Sequence, residues 1–110
     1  MTAICLAQSF EITEGATVLG GNRSPELQHY FCGHCMTWMY GKPVELPHVV
    51  NVRPTLLDDH AWFAPFIETY TRTRLPWAKT GAVHSFEEFP PPESFGDLLS
   101  EYQAWRDARQ

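Results

Sequence analysis

Apolar and polar positions follow a short period through most of this chain, and the apolar runs are brief. Residues 3–12 (AICLAQSFEI) begin apolar and then partly alternate, which predicts a strand ending at the Glu14-Gly15 turn. Residues 16–19 form a second short apolar run, closed by Gly20-Gly21-Asn22. Residues 28–31 lead into Cys32-Gly33-His34-Cys35, and residues 36–40 (MTWMY) leave it with β-forming side chains, stopping at Gly41. A strand, a two-cysteine knuckle and a returning strand outline a zinc-ribbon-like hairpin. Residues 49–52 (VVNV) are a further strand candidate, and 56–59 (LLDD) read as a turn or a short helical start. Residues 66–72 (FIETYTR) alternate and predict another strand.

The pattern changes after Pro90-Pro91-Pro92, which bars helix and central strand from residues 88–93. Leu98, Tyr102 and Trp105 then fall on one face of a helix, with Ser94 or Asp97 available to cap it. Leu75-Pro76-Trp77 must be extended ahead of its proline. The expected fold class is therefore mainly β: a small β-sheet domain with a zinc-ribbon-like hairpin and a C-terminal helix. The expected organisation is a β domain over residues 1–90 and a proline linker with helix over 91–110.

The totals narrow the function classes. The 110 residues carry a net charge of −5, with lysines and arginines scattered singly. That distribution offers no basic stripe for phosphate contacts, so nucleic acid is not an expected partner. No run approaches the roughly 20 apolar residues that span a bilayer, and the N-terminus has no signal-peptide pattern. A cytoplasmic protein without membrane association is the expectation. Three cysteines are too few for a disulfide framework.

Cys32-x-x-Cys35 is the strongest chemical feature. Two thiolates at this spacing can share one zinc, because the turn points both sulfurs inward and Gly33 eases it, through a positive φ if one is needed. A structural zinc needs four ligands, and the motif supplies two. A redox dithiol and unligated thiols are the other readings, although the redox reading expects a βαβ setting not evident here. For the missing ligands, Cys5 sits in an apolar strand where an inert buried thiol is usual, and His29 and His34 flank the pair. His48, His60 and His84 have no motif around them. Asp58-Asp59 suits a turn better than an acid–base pair, since adjacent carboxylates diverge. Trp38, Tyr40, Tyr70 and Trp77 offer either core or an apolar pocket, and Leu98, Tyr102 and Trp105 a docking face.

Tyr30-Phe31-Cys32-Gly33-His34-Cys35 followed by Trp38 and Tyr40 resembles the cysteine signature of the glutathione-dependent formaldehyde-activating enzyme family, which includes centromere protein V. Residues 49–59 and 65–77 resemble later stretches of the family in the same order. The resemblance implies a β-rich fold and a zinc-dependent carbon–sulfur lyase acting on adducts of glutathione and formaldehyde. It implies that Cys32 and Cys35 are the second cysteine pair of a structural zinc site. The family's C-x-C-G and C-x-C-x-x-C segments, which supply the other structural ligands and the catalytic zinc, have no match here, and Met36 stands where the family has glycine. Cys5 matches no family ligand.

The expectation for function is accordingly divided. One reading is the lyase, with no catalytic residue assigned in this chain and a small thiol as substrate. A second is a non-catalytic assembly module, zinc-stabilised if Cys32 and Cys35 find ligands elsewhere. A third is a dithiol redox protein. The missing ligands point to a homodimer or to a second chain; two knuckles clamping one zinc across a two-fold axis is one form of the dimer.

Overall fold

The computed structural model describes Met1–Gln110 and divides into two compact units, Met1–Phe63 and Ala64–Gln110. The first unit is built on a five-stranded antiparallel sheet, and the second ends in the only α-helix, so the chain is mainly β. No helix is long and apolar enough to cross a membrane.

The strands of the first unit are β1 (Ala3–Leu6), β2 (Thr17–Gly20), β3 (Leu27–Cys32), β4 (Trp38–Pro43) and β5 (Val49–Val52), in the order β1-β5-β4-β3-β2. Strands β2 to β5 form a meander whose local hairpins follow the turn residues closely. Gly21, at φ 69°, makes the left-handed step after β2 that glycine adopts at little cost. β1 departs from this local logic. It pairs with β5, Leu6 against Val49, at the far edge from β2. Residues 7–16 must therefore traverse the width of the sheet, about 19 Å at strand spacing, which ten residues span with slack. That demand shortens the strand expected over residues 3–12. After Leu6 the chain turns through a 3-10 helix, Ala7–Ser9, with the Ala7 N–H donating to the His48 carbonyl at 2.8 Å. Phe10 then packs over Tyr40, ring centroids 4.8 Å apart.

Tyr40 and Val50 are the buried side chains at the centre of the sheet, at 3% and 2% exposure. Tyr40 stacks on Tyr30 at 5.0 Å, and its hydroxyl shares a 2.9 Å hydrogen bond with Thr17 Oγ1. β4 does not stop at Gly41. It runs on to Pro43 because Gly41 pairs with both His29 and Asn51. An added Cβ there would make ordinary contact with Leu27 and His29, at 3.4 and 3.5 Å. Tyr30 pairs with Tyr40 and Phe31 with Trp38, so Met39 is an extra residue in β4, a bulge.

In the second unit, β6 (Ile67–Glu68) and β7 (His84–Ser85) form a short parallel pair, and α1 spans Phe95–Ala108. The strand expected over residues 66–72 shrinks to two residues because Tyr70 takes a left-handed φ of 55° and the chain enters a 3-10 turn, Thr71–Thr73. Pro76 and Trp77 lie in a turn instead of the extended run expected, closed by the Ala78 N–H on the Leu75 carbonyl at 2.9 Å. The helix face expected of Leu98, Tyr102 and Trp105 is present. Leu98 is buried, and Phe66 meets Tyr102 at 5.4 Å and Trp105 at 5.3 Å. Ser94 precedes the helix without capping it, because its hydroxyl donates to the Pro91 carbonyl at 2.6 Å. Glu68 is the polar centre of this unit. Hydrogen bonds from Ser85 and Thr80 lower its carboxyl to about 2, with the Arg74 guanidinium assisting.

Candidate functional site

Cys32 is the last residue of β3, half-buried, and Cys35 is exposed on the turn toward β4. The turn is tied at both ends. The Cys32 N–H donates to the Thr37 carbonyl at 2.8 Å, and the Met36 N–H to the Cys32 carbonyl at 2.9 Å. Inside it, the backbone N–H groups of His34 and Cys35 point at Cys32 Sγ, at 3.4 and 3.5 Å. Cys35 Sγ lies 3.1 Å from Thr37 Oγ1. The Thr37 side chain first, then its backbone and the Cys32 thiol, hold the Cys35 thiol below the ordinary range.

Two residues of the knuckle play roles other than those expected. Gly33 has no positive φ. Its N–H donates to the Ala16 carbonyl at 2.9 Å, and an added Cβ would lie only 3.1 Å from that oxygen, so a side chain here would push the carbonyl back by a few tenths of an ångström, and glycine serves close approach. The left-handed residue is Met36, at φ 61°. An L side chain in that region costs about 1–2 kcal/mol. Thr37 was not singled out from the sequence; a hydroxyl residue two places after a knuckle cysteine was the available signal.

The other candidate ligands lie elsewhere. Cys5 is in β1, with β5 and β4 between it and β3, about 14 Å across the sheet. Burial raises its thiol. His29 is three residues before Cys32 in the same strand, so alternation turns it to the opposite face. There it meets the Trp38 ring edge-on at 4.8 Å, and its buried Nδ1 has no hydrogen-bond partner. His34 remains near the pair. His60 Nδ1 is 3.2 Å from the Leu57 carbonyl, and His84 Nε2 is 2.7 Å from Glu101. Asp58 and Asp59 sit in a bend, with the Asp59 carbonyl accepting from Trp62 Nε1 at 2.8 Å, as their turn reading expects. No group of three or more His, Cys, Asp or Glu side chains converges anywhere in the chain.

An open cleft of about 690 Å³ lies beside the knuckle. The crossing segment, Cys32, Met39, Tyr40 and Leu56-Leu57 wall it. The Met39 bulge brings that side chain in next to Tyr40, while Trp38 faces the other way under the Arg53 guanidinium at 4.1 Å. Of the aromatics considered for a pocket, Tyr40 alone contributes to this one. Tyr70 packs on Phe89, and Trp77 is 78% exposed.

Zinc requires a closed set of four donors in a structural site. Cys32 and Cys35 have the donor chemistry and the spacing of one half of such a set, and no third His, Cys, Asp or Glu side chain converges on them.

Comparison with known proteins agrees with the cysteine signature. The model of the family described as glutathione-dependent formaldehyde-activating enzyme matches residues 1–73, more than half of the chain. No curated protein and no solved structure matches. The match covers the whole five-stranded sheet and its knuckle, and the chain belongs to the glutathione-dependent formaldehyde-activating enzyme family.

Proposed function

We propose that Cys32 and Cys35 are two ligands of a structural zinc ion in a domain of formaldehyde-activating type, with the remaining ligands supplied from outside this pair. The observation that carries the reading is the polar surround of the two sulfurs. Two backbone N–H groups aim at Cys32 Sγ and the Thr37 hydroxyl sits against Cys35 Sγ. Donors so placed offset thiolate charge and orient a ligand before metal arrives. The strand–knuckle–strand hairpin is on this reading a zinc ribbon with one of its two cysteine pairs. Its test is metal content with melting temperature. Cys32→Ala lowers the melting temperature of zinc-treated protein and leaves that of chelator-treated protein unchanged. Equal melting of both proteins in zinc, with no metal retained, removes zinc from the account.

The family's name joins glutathione with formaldehyde. For this chain we propose the same substrate class, a small thiol and its formaldehyde adduct, received in the cleft beside Cys32. The reaction type would be that of a carbon–sulfur lyase. Formation and breakdown of S-hydroxymethylglutathione, followed by NMR with and without added zinc, checks it. A rate equal to the uncatalysed background refutes catalysis and leaves the non-catalytic assembly module.

One observation favours a second reading. Cys35 is solvent-exposed, its thiol is lowered, and Cys32 is within hydrogen-bonding reach, the arrangement of an attacking and a resolving thiol. A dithiol redox role predicts a measurable reduction potential for the pair and its suppression by bound zinc, since zinc holds both thiolates.

A further inference from the structure

We propose that Thr17 and Tyr40 form an oxygen-binding subsite in the cleft beside Cys32, one that selects ligands carrying a hydroxyl close to sulfur over alkyl thioethers of the same size. This rests on the reading above that the cleft receives a small thiol and its formaldehyde adduct. The adduct differs from an ordinary thioether by one hydroxyl, so a cleft that tells the two apart needs a hydrogen-bonding group placed at that oxygen.

The register of β2 on β3 places Thr17 directly opposite Cys32, on the same face of the sheet. Thr17 and Tyr40 both line the cleft, and Thr17 Oγ1 lies 2.9 Å from the Tyr40 hydroxyl. Two hydroxyls carry two protons, and the bond between them uses one. A phenol is the stronger donor, so Tyr40 donates, and the Thr17 proton then has no acceptor in the protein. Tyr40 is 3% exposed and held by the rings of Phe10, 4.8 Å away, and Tyr30, 5.0 Å away, so its hydroxyl fixes the orientation of Thr17 Oγ1. Thr17 is thus the group that touches the ligand, and Tyr40 the one that positions it. The other polar groups of the cleft do not serve the same oxygen. Glu11 and Glu14, on the crossing segment, are exposed carboxylates, which accept hydrogen bonds and do not donate them. The Arg53 guanidinium is stacked on Trp38, which faces away from the cleft. The Gly33 N–H is taken by the Ala16 carbonyl. Thr13 and His34 are exposed, where water competes for their hydrogen bonds. A ligand that sets a methyl group against Thr17 buries an unpaired proton, whereas a hydroxyl oxygen accepts it.

The test is calorimetric titration of the intact chain, with zinc supplied, against S-hydroxyethylglutathione and S-propylglutathione. These stable thioethers differ only by a terminal hydroxyl against a methyl group. The unaltered chain is expected to bind the hydroxyethyl compound about tenfold more tightly. Thr17→Val is expected to remove that preference, and Thr17→Ser, which keeps the hydroxyl, to retain it. Tyr40→Phe leaves the Thr17 hydroxyl without its partner and is expected to lower the preference to about threefold. A general loss of packing weakens both ligands alike and does not move their ratio. Equal binding of the two ligands by the unaltered chain, or a preference that survives Thr17→Val, overturns the subsite and leaves the cleft reading standing. A preference unchanged by Tyr40→Phe overturns the positioning role of Tyr40. Binding of neither ligand overturns the cleft reading and the subsite together.

Discussion

At position 36 the family pattern has glycine and this chain has methionine, and the fold makes the consequence calculable. Met36 holds φ 61° because its N–H must turn back to the Cys32 carbonyl, 2.9 Å away, to close the knuckle. Replacing it by Ala and by Gly separates two effects. Both substitutions remove the same side chain beyond Cβ, so the lost contacts cancel in the comparison. The Ala variant keeps a Cβ in the left-handed region at a cost of about 1–2 kcal/mol, which the Gly variant does not bear. Against this, Gly adds unfolded-state freedom worth about 0.4–1 kcal/mol. Met36→Gly is therefore expected to be more stable than Met36→Ala by about 0.5–1 kcal/mol, or roughly 2–8 °C in melting temperature for a unit of this size. The usual order at an exposed site with ordinary φ is the reverse. Gly96 supplies that comparison, being in α1 with open space around an added Cβ. There Ala is expected to be the more stable residue by about 0.5–1 kcal/mol. The assay is denaturant unfolding with reductant and chelator present, so that metal and disulfide make no contribution. An Ala variant at position 36 as stable as the Gly variant, or more so, refutes the left-handed knuckle and the reasoning built on it.

Other consequences are as direct. Glu68 titrates at about 2 in the fold against 4.5 for an ordinary glutamate, because Ser85, Thr80 and Arg74 favour its ionised form. A lowered carboxyl contributes stability above pH 4.5 that is lost as pH falls toward 2. Melting temperature followed over that window is expected to drop, and Glu68→Gln to flatten the drop; an unchanged slope would count against the hydrogen-bonded carboxylate. Alkylation with iodoacetamide, read by mass spectrometry under native conditions, is expected to modify Cys35 well before Cys5, since hydrogen bonding lowers one thiol and burial raises the other. Equal rates would contradict the placement of Cys5 against Val50. Phe66→Ala is expected to cost about 3–5 kcal/mol, because three rings close on it, and to change the fluorescence of Trp105; a cost under about 1 kcal/mol would mean the cluster does not form.

The parts of this fold that were legible in the sequence are those whose cause is local. Strand β5 falls where Val49 to Val52 place it, and the Glu14-Gly15 turn is made by a glycine at φ 78°. The helix face of Leu98, Tyr102 and Trp105 follows from spacing alone. The parts that were not legible depend on distant partners. Nothing in residues 3–12 announces that their strand ends at Leu6, because the reason is the far position of β5. Residues 66–72 alternate correctly for a strand, yet the regular ladder is confined to Ile67-Glu68 against His84-Ser85, and beyond it the Thr71 and Tyr70 N–H groups donate to the Phe86 and Glu88 carbonyls from outside the strand. Within the knuckle, the spacing of the cysteines was plain, whereas the exchange of roles between Gly33 and Met36 was not. It depends on the approach of Ala16, the residue just ahead of β2. The Met39 bulge, which sends Trp38 and Tyr40 to opposite faces, has no signature in MTWMY.

The crossing of residues 7–16 also governs the order of assembly. The pairs of the meander are near neighbours, Gly20 with His29 and Tyr30 with Tyr40, and close over short loops. Leu6 must wait for Val49. On a ribosome β1 is made before every strand of the meander and docks after them, because its partner is the last of the five to emerge. Until then Ala3 and Cys5, half-buried in the folded sheet, travel in water on a strand with both edges open. The interval between synthesis of β1 and of β5 is thus the time in which this sheet is most exposed to joining the wrong chain.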